Sequence, residues 1–430
     1  MLRRAGPNEA SSVPAGPVPK STGSARRPTV QRSGQAVRMN RTQGMQENNE
    51  IAKFSLLGGP LHRLGIRVGL IRSGTNTVAV GLMLGVFLWI VLLALAAIEG
   101  ITPRLSSISL IGGHIRLLVV IPLFFMCEAW VDPMMTGFVS GLVRKQIVTE
   151  SALPALSAEI AHATRWTDSW LAEAICLLAA ISLSLSAHSI QLPGASSDQD
   201  PFHAGADVTM AGLWYWIVCL TLFRFLLFRW LWRLCHWAYF LWRITKLKLR
   251  LVPTNPDGAA GLGSLEVVHT CFTPLILAIS ALQAASFAEE ISSGSMTFEA
   301  IYPALVLTLF VDAVLFVGPL FLFSPGLWAT KIKGLGDYGA LASRYVDSFD
   351  TKWLRTADPG ELLLGTPDLQ SLADLSNSVN VVRNMRLAPV STRLWGHILI
   401  AALLPMLPLL LLKYPIAALA EKFITRLSGM

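Results

Sequence analysis

Charged side chains inside apolar runs are where this 430-residue sequence could do chemistry. Glu128 and Asp132 lie within the run 117–138, Arg224 within 211–228 and Asp312 within 300–323. The i, i+4 spacing of the two acids puts them on one helical face. A charge left at the centre of a lipid-embedded helix costs at least about 2.5 kcal/mol, so all four should turn inward and pair. Arg224 is the natural cation to sit between the two acids. A midplane set of this kind supports a proton or ion relay, and a structural salt-bridge cluster would use the same residues.

A second constellation extends the fourth run. Arg229, Arg233, His236, Arg243, Lys246 and Arg250 follow one another at intervals of 4, 3, 7, 3 and 4 residues, which is one helical stripe. Trp230, Trp232, Trp237 and Trp242 interleave on the other faces. The pattern predicts an interfacial anchor, with Trp at headgroup level and basic groups reaching anionic lipid phosphates. The sharper alternative is a stripe lining a vestibule for anions. The turn-forming stretch 251–263, LVPTNPDGAAGLG, offers Asn255 and Asp257 to a ligand or simply closes a tight turn.

These residues need elements to hold them. The chain is 53% hydrophobic and 14% charged, against about 25% charged in soluble domains. Disordered, collagen-like and ordinary cytosolic classes are excluded. Seven apolar runs, 78–98, 117–138, 174–190, 211–228, 267–288, 300–323 and 397–412, are near the length that crosses about 30 Å of hydrocarbon. They predict an all-α, polytopic bundle of six or seven spans: six within 51–323, then a helical appendage at 324–396, with the seventh run after it. The last segment, 397–430, spans or re-enters, because Pro405 and Pro408 interrupt its run. In the appendage, Thr366-Pro367-Asp368 reads as a helix start. The apolar stripe Leu369, Leu372, Leu375, Val379, Val382 and Met385 after it needs a partner: the bundle, another helix or a second protomer.

Charge placement predicts orientation. The connections 191–209 and 289–299 contain no Lys or Arg, whereas 143–170, 229–266 and 324–396 are basic. The positive-inside rule therefore expects the N-terminus and these three stretches in the cytoplasm. Residues 1–50 hold eight Lys or Arg and three Glu, supplying +5 of the net +8. They read as a disordered basic tail without a signal-peptide core, with Met39 and Met45 as alternative starts. The remaining +3 follows topology, so the basicity points to anionic lipid and not to nucleic acid.

No cofactor or metal is expected. Gly334-Leu-Gly-Asp-Tyr-Gly339 matches GxGxxG but follows an apolar run, not a strand. The five cysteines form no CxxC pair and read as small packing residues.

Two blocks carry a resemblance: Val252–Gly263 (VPTNPDGAAGLG) and Leu362–Asn377 (LLLGTPDLQSLADLSN). They resemble a family of bacterial polytopic inner-membrane proteins with no assigned activity. In that family the first block usually reads His-Pro-Asp with a following Gly-Gly-Leu. Here Asn255 stands at the His position and Ala260 at a Gly position, which weakens a metal-binding or proton-transfer role for the block. The resemblance implies an inner-membrane location and gives weight to both blocks. The leading expectation is a channel or transporter for a small ion or solute, working as a homo-oligomer in contact with anionic lipid. The rival is a non-transport scaffold or signalling protein acting through 324–396.

Overall fold

Twenty-two residues with no charge make helix α1, Thr77–Ile98, whose flanks are largely open to lipid. The computed structural model describes residues 76–105, 108–190, 203–204, 207–355 and 365–410. The expected basic tail, the basic stretch 51–75, most of the acidic connection 191–209 and residues 411–430 lie outside them.

Helix α2 is Ile111–Arg144, α3 Leu153–Thr167, α4 Trp170–Ile190 and α5 Met210–Thr245. Then come α6, Ser264–Ser292, α7, Ile301–Phe316, and the hairpin partners α8, Ser324–Asp350, and α9, Pro367–Arg383. The chain closes its described part with α10, Thr392–Leu403. The architecture is an all-α polytopic membrane bundle, with one two-residue antiparallel pair, His203–Ala204 against Asp207–Val208, among the described residues.

Five helices are long and apolar enough to cross a membrane: α1, α2, α5, α6 and the one ending in α7. Counting the pair α3–α4, bent by 42°, as one broken span brings the number to six. The seventh run of the sequence is the exception. Its helix α10 has 12 residues, about 18 Å of rise, and a proline-containing 3-10 turn, Leu404–Met406, ends it. It lies against α6, where the Ser280 hydroxyl donates to the Ala402 carbonyl.

Small residues set the tightest contact. A Cβ at Gly81 would sit 2.6 Å from Phe125 Cβ, and one at Gly85 would collide with the Leu117 carbonyl oxygen. Helices α1 and α2 therefore approach backbone to backbone, the usual device where lipid offers no hydrophobic drive. The same contacts give a vertical scale. Glu99, just past α1, accepts hydrogen bonds from Met210 N (2.6 Å) and Ala211 N (3.2 Å), tying the end of α1 to the start of α5. At the other end, Cys127 Sγ reaches the Cys271 carbonyl at 3.7 Å. We call these the acidic and basic ends.

Helices α2 and α5 continue beyond the basic end and carry a helical layer there. Helix α3 packs on α5, and the hairpin α8–α9 stands on the loop 251–263. Gly334 of α8 meets Pro253 and Val382, and Lys331 Nζ donates to the Met385 carbonyl at 2.7 Å. The stripe of α9 is used unevenly. Val382 and Met385 are buried at the foot, Leu372, Leu375 and Val379 are half-buried, and Leu369 is exposed. The stripe packs mainly on α8, and only its foot reaches the bundle.

Candidate functional site

Arg229 and Arg233 lie one turn apart on α5 and face α2 and α4 rather than lipid. Arg233 Nη1 is 3.1 Å and Arg229 Nη1 3.7 Å from Glu128 Oε2, while Arg229 Nε is 3.4 Å from Glu173 Oε1. All four side chains are largely buried, at 7–13% exposure. Two acids against two guanidinium groups leave no surplus charge. A cavity of about 20 Å³ beside Glu128, Asp132 and Arg233 is the size of a single water. Nineteen residues of helix separate Met210 from Arg229, about 28 Å of rise, so this cluster lies toward the basic margin of the bundle. Asp132, half-buried, lies on the same margin.

The expected interfacial stripe therefore divides. His236, also buried, bonds the Ala163 carbonyl of α3 at 3.1 Å. Arg243 forms a two-pronged pair with Glu159 of α3, with Nε to Oε2 at 2.9 Å. Lys246 and Arg250 are exposed, Lys246 lying 5.4 Å from the centre of the Trp242 ring. The stripe is one face of α5 as spaced, but α2, α3 and α4 cover its first three members, and the half-exposed Arg243 is held by Glu159 at the rim of α3. Trp230 and Trp237 are buried with it, so the aromatic belt expected from the sequence is partly core.

Arg224 has a different partner from the one the sequence suggested. Its Nη1 donates to Ser184 Oγ of α4 at 2.9 Å, and among the described residues no carboxylate lies within ion-pair distance of it. Ser184 also bonds Thr221 Oγ1 at 3.0 Å. On the acidic side of Arg224 lies Arg116, which sequence reasoning missed because it immediately precedes the apolar run. Arg116 Nη1 donates to Tyr215 Oη at 2.6 Å, and both arginines are 7% exposed. Glu289 of α6 accepts from Gly112 N, one helical turn before Arg116, at 2.8 Å.

Two π-helical turns frame this group: Arg116–Val120 in α2 and Trp214–Leu220 in α5. Such wide turns are rare and recur at functional sites. No residue pattern announces them. A neighbouring polar chain, Leu105 carbonyl, His114 and Trp89 Nε1, runs at 2.8 and 2.9 Å.

Asp312 does not join the other charges. The buried face of α7 is Ile301, Thr308, Asp312 and Phe316, and among the described residues the Asp312 Oδ2 atom has no hydrogen-bond partner. One turn away, Thr308 donates to Gln283 Oε1 of α6 at 2.7 Å. His269 is a fully bonded packing residue: Trp237 Nε1 donates to its Nε2 at 3.2 Å, and its Nδ1 meets the Phe316 carbonyl at 2.6 Å.

The 251–263 loop uses its polar groups on itself. Asp257 accepts from Ala259 N, Gly261 N and Gly263 N at 2.8–3.0 Å, and Asn255 Oδ1 accepts from Asp257 N at 3.2 Å. Ala260 takes φ +54°, a left-handed conformation that glycine adopts more readily. Arg386, beyond α9, then staples the loop: Nη2 donates to the Asp257 carbonyl at 2.8 Å and Nη1 to Glu266 Oε2 at 2.7 Å. Asp257 is thereby a turn-builder. Among the described residues no cluster of His, Cys, Asp or Glu has the arrangement of a metal site.

Compared with known proteins, the chain matches no family model, no curated protein and no solved structure.

Proposed function

We propose that this membrane protein moves a small ion or solute across a bacterial inner membrane, with its N-terminus in the cytoplasm. One observation carries the reading: buried arginines are stacked through the bundle. Measured along α5 from Met210, Arg116 lies at the level of Tyr215, about 8 Å in, Arg224 at about 21 Å, Arg229 at about 28 Å and Arg233 at about 34 Å. Buried charge in a membrane bundle is expensive, and such residues commonly line ion and substrate paths. The unpartnered Asp312 oxygen on α7 is a second polar point at the bundle's edge. The basic end, where Lys and Arg collect, is assigned to the cytoplasm by the positive-inside rule.

The test is flux in liposomes with a panel of protons, common cations and anions. The expected result is flux of one species, abolished by Arg224→Ala or Asp312→Ala in protein that remains folded. A second reading rests on the α8–α9 hairpin, where Trp328, Ile332, Leu341 and Val346 are exposed on a helix outside the membrane. Absence of flux for the whole panel, together with capture of one defined partner through residues 324–396, would replace transport by a scaffolding role.

A further inference from the structure

We propose that Asp312 is a reversible proton-binding carboxyl, and that the ion this protein carries is H+. The identity of the carried ion rests on the transport reading, whereas the protonation of Asp312 does not.

Burial and partners carry the inference. Asp312 is 1% exposed, and among the described residues its Oδ2 atom has no hydrogen-bond partner and no Lys or Arg lies within ion-pair distance. The buried residues of α10, which packs on α7, are Leu394, Ile398, Ala401 and Ala402, an apolar face. The outward faces of α7 near Asp312 carry Leu307, Phe310, Val311 and Val314, all apolar and open to lipid. Two polar side chains of α6 are already committed: Ser280 donates to the Ala402 carbonyl, and Gln283 Oε1 accepts from Thr308 at 2.7 Å.

The titratable groups of the packed elements are engaged elsewhere or distant. On α6, His269 is bonded through both ring nitrogens, Glu266 pairs with Arg386, and Glu289 accepts from Gly112 N. Glu290 and Glu299 stand at the acidic end, Glu299 more than three turns from Asp312. On α10, Arg393 and His397 are exposed, and the His397 ring meets the Arg393 carbonyl. A carboxylate in this setting has neither water nor a countercharge, and taking up a proton removes the charge. A hard divalent cation would need about six oxygen ligands or more, and among the described residues no group of His, Cys, Asp or Glu gathers with Asp312. Helix α7 is the least covered of the five spanning helices, so the carboxyl lies at its seam with the bundle, one helix's thickness from lipid.

That position puts Asp312 within reach of a lipid-soluble carbodiimide. The full chain in nonionic detergent is treated with dicyclohexylcarbodiimide, which reacts with a protonated acid. The carboxyl proton passes to one carbodiimide nitrogen, the oxygen bonds the central carbon, and acyl migration to nitrogen leaves a stable N-acylurea with no atom lost. Peptide mass mapping locates the adduct. The expected result is an adduct at Asp312 that forms more slowly as pH rises, by roughly tenfold per unit once the acid has lost its proton. Glu128, held by Arg229 and Arg233, stays unlabelled. In liposomes, Asp312→Asn abolishes proton uptake driven by a potassium diffusion potential, and Asp312→Glu, which keeps the carboxyl, retains part of it and covers the case in which the amide variant does not fold. No label at Asp312, label spread evenly over Glu128, Asp132 and Asp312, or protection of Asp312 by sodium at constant pH would overturn the proposal. Selective labelling without flux of any ion would leave the protonated carboxyl and remove both transport and H+ as its cargo. Flux that persists in Asp312→Asn, without labelling of the wild type, would leave transport and remove Asp312.

Discussion

The two buried arginine groups of this bundle solve the same problem in opposite ways. Around Glu128, each of two guanidinium groups meets a carboxylate, and the charges balance. Nearer the acidic end, Arg116 and Arg224 each meet a hydroxyl, and among the described residues neither has a carboxylate within ion-pair distance. Arg116 comes from α2 and the other three arginines from α5, and all four are similarly buried. The difference teaches that burial and sign alone do not distinguish a structural cluster from a site. The charge ledger of the immediate neighbours does.

The largest effect is expected from breaking the balanced group. Glu128→Ala strands Arg233 and half of the Arg229 interaction, and should cost about 3–5 kcal/mol in detergent unfolding. A cycle of Glu128→Gln with Arg233→Gln should show strong coupling, because each single change leaves the other charge buried and alone. The hydroxyl-bonded arginines should respond with the opposite sign. Arg224→Leu should raise stability by about 1–2 kcal/mol, since it removes a buried charge with no acid within ion-pair distance. A loss of several kcal/mol there would erase the distinction drawn between the two groups.

The sequence made part of this visible. Six apolar runs became the helices that cross or enter the membrane, and the 4, 3, 7, 3, 4 spacing placed six basic groups on one face of α5. Which way that face turns was not visible, because it depends on α2, α3 and α4 presenting Glu128, Glu159 and Glu173 to it. The partner of Arg224 was hidden for a different reason: Ser184 sits in a charge-free apolar run where a serine carries no signal. In the run 397–412 the prolines announced the break: α10 ends at Leu403, just before Pro405, and residues 411 and 412 lie outside the described part. In the 251–263 loop, turn chemistry was legible, and the caging of Asp257 by three backbone amides decides between the two uses the sequence left open.

Two further changes sharpen the comparison by moving toward water. Arg386→Ala removes a half-exposed pair with Glu266 and a bond to the loop carbonyl of Asp257. It should cost about 1 kcal/mol and raise hydrogen exchange of the amides of 255–263, with α1 and α2 unaffected. The smallest effect belongs to the exposed pair. Lys352 Nζ lies 2.8 Å from Asp368 Oδ2, and this hydrogen bond holds the Asp368 carboxyl below the usual carboxylate range. The folded-state value is the lower one, so the contribution is fully present above the ordinary carboxylate range and fades as pH falls through the lowered value. Hydrogen exchange in the first turn of α9 should quicken over that acidic window and stay flat from there to neutrality. Lys352→Ala should abolish the dependence.

A π turn is also a matter of angular phase. In an α-helix each residue advances the chain by about 100° around the axis. The turn at Trp214–Leu220 lies between the rim at Met210 and every basic residue of α5. Removing a single residue from it would restore regular winding and swing Arg224, Arg229, Arg233 and His236 together, by roughly that angle, away from the hydroxyls and acids that receive them. The stretch can therefore change its letters far more freely than its length: it acts as a clock setting for everything downstream.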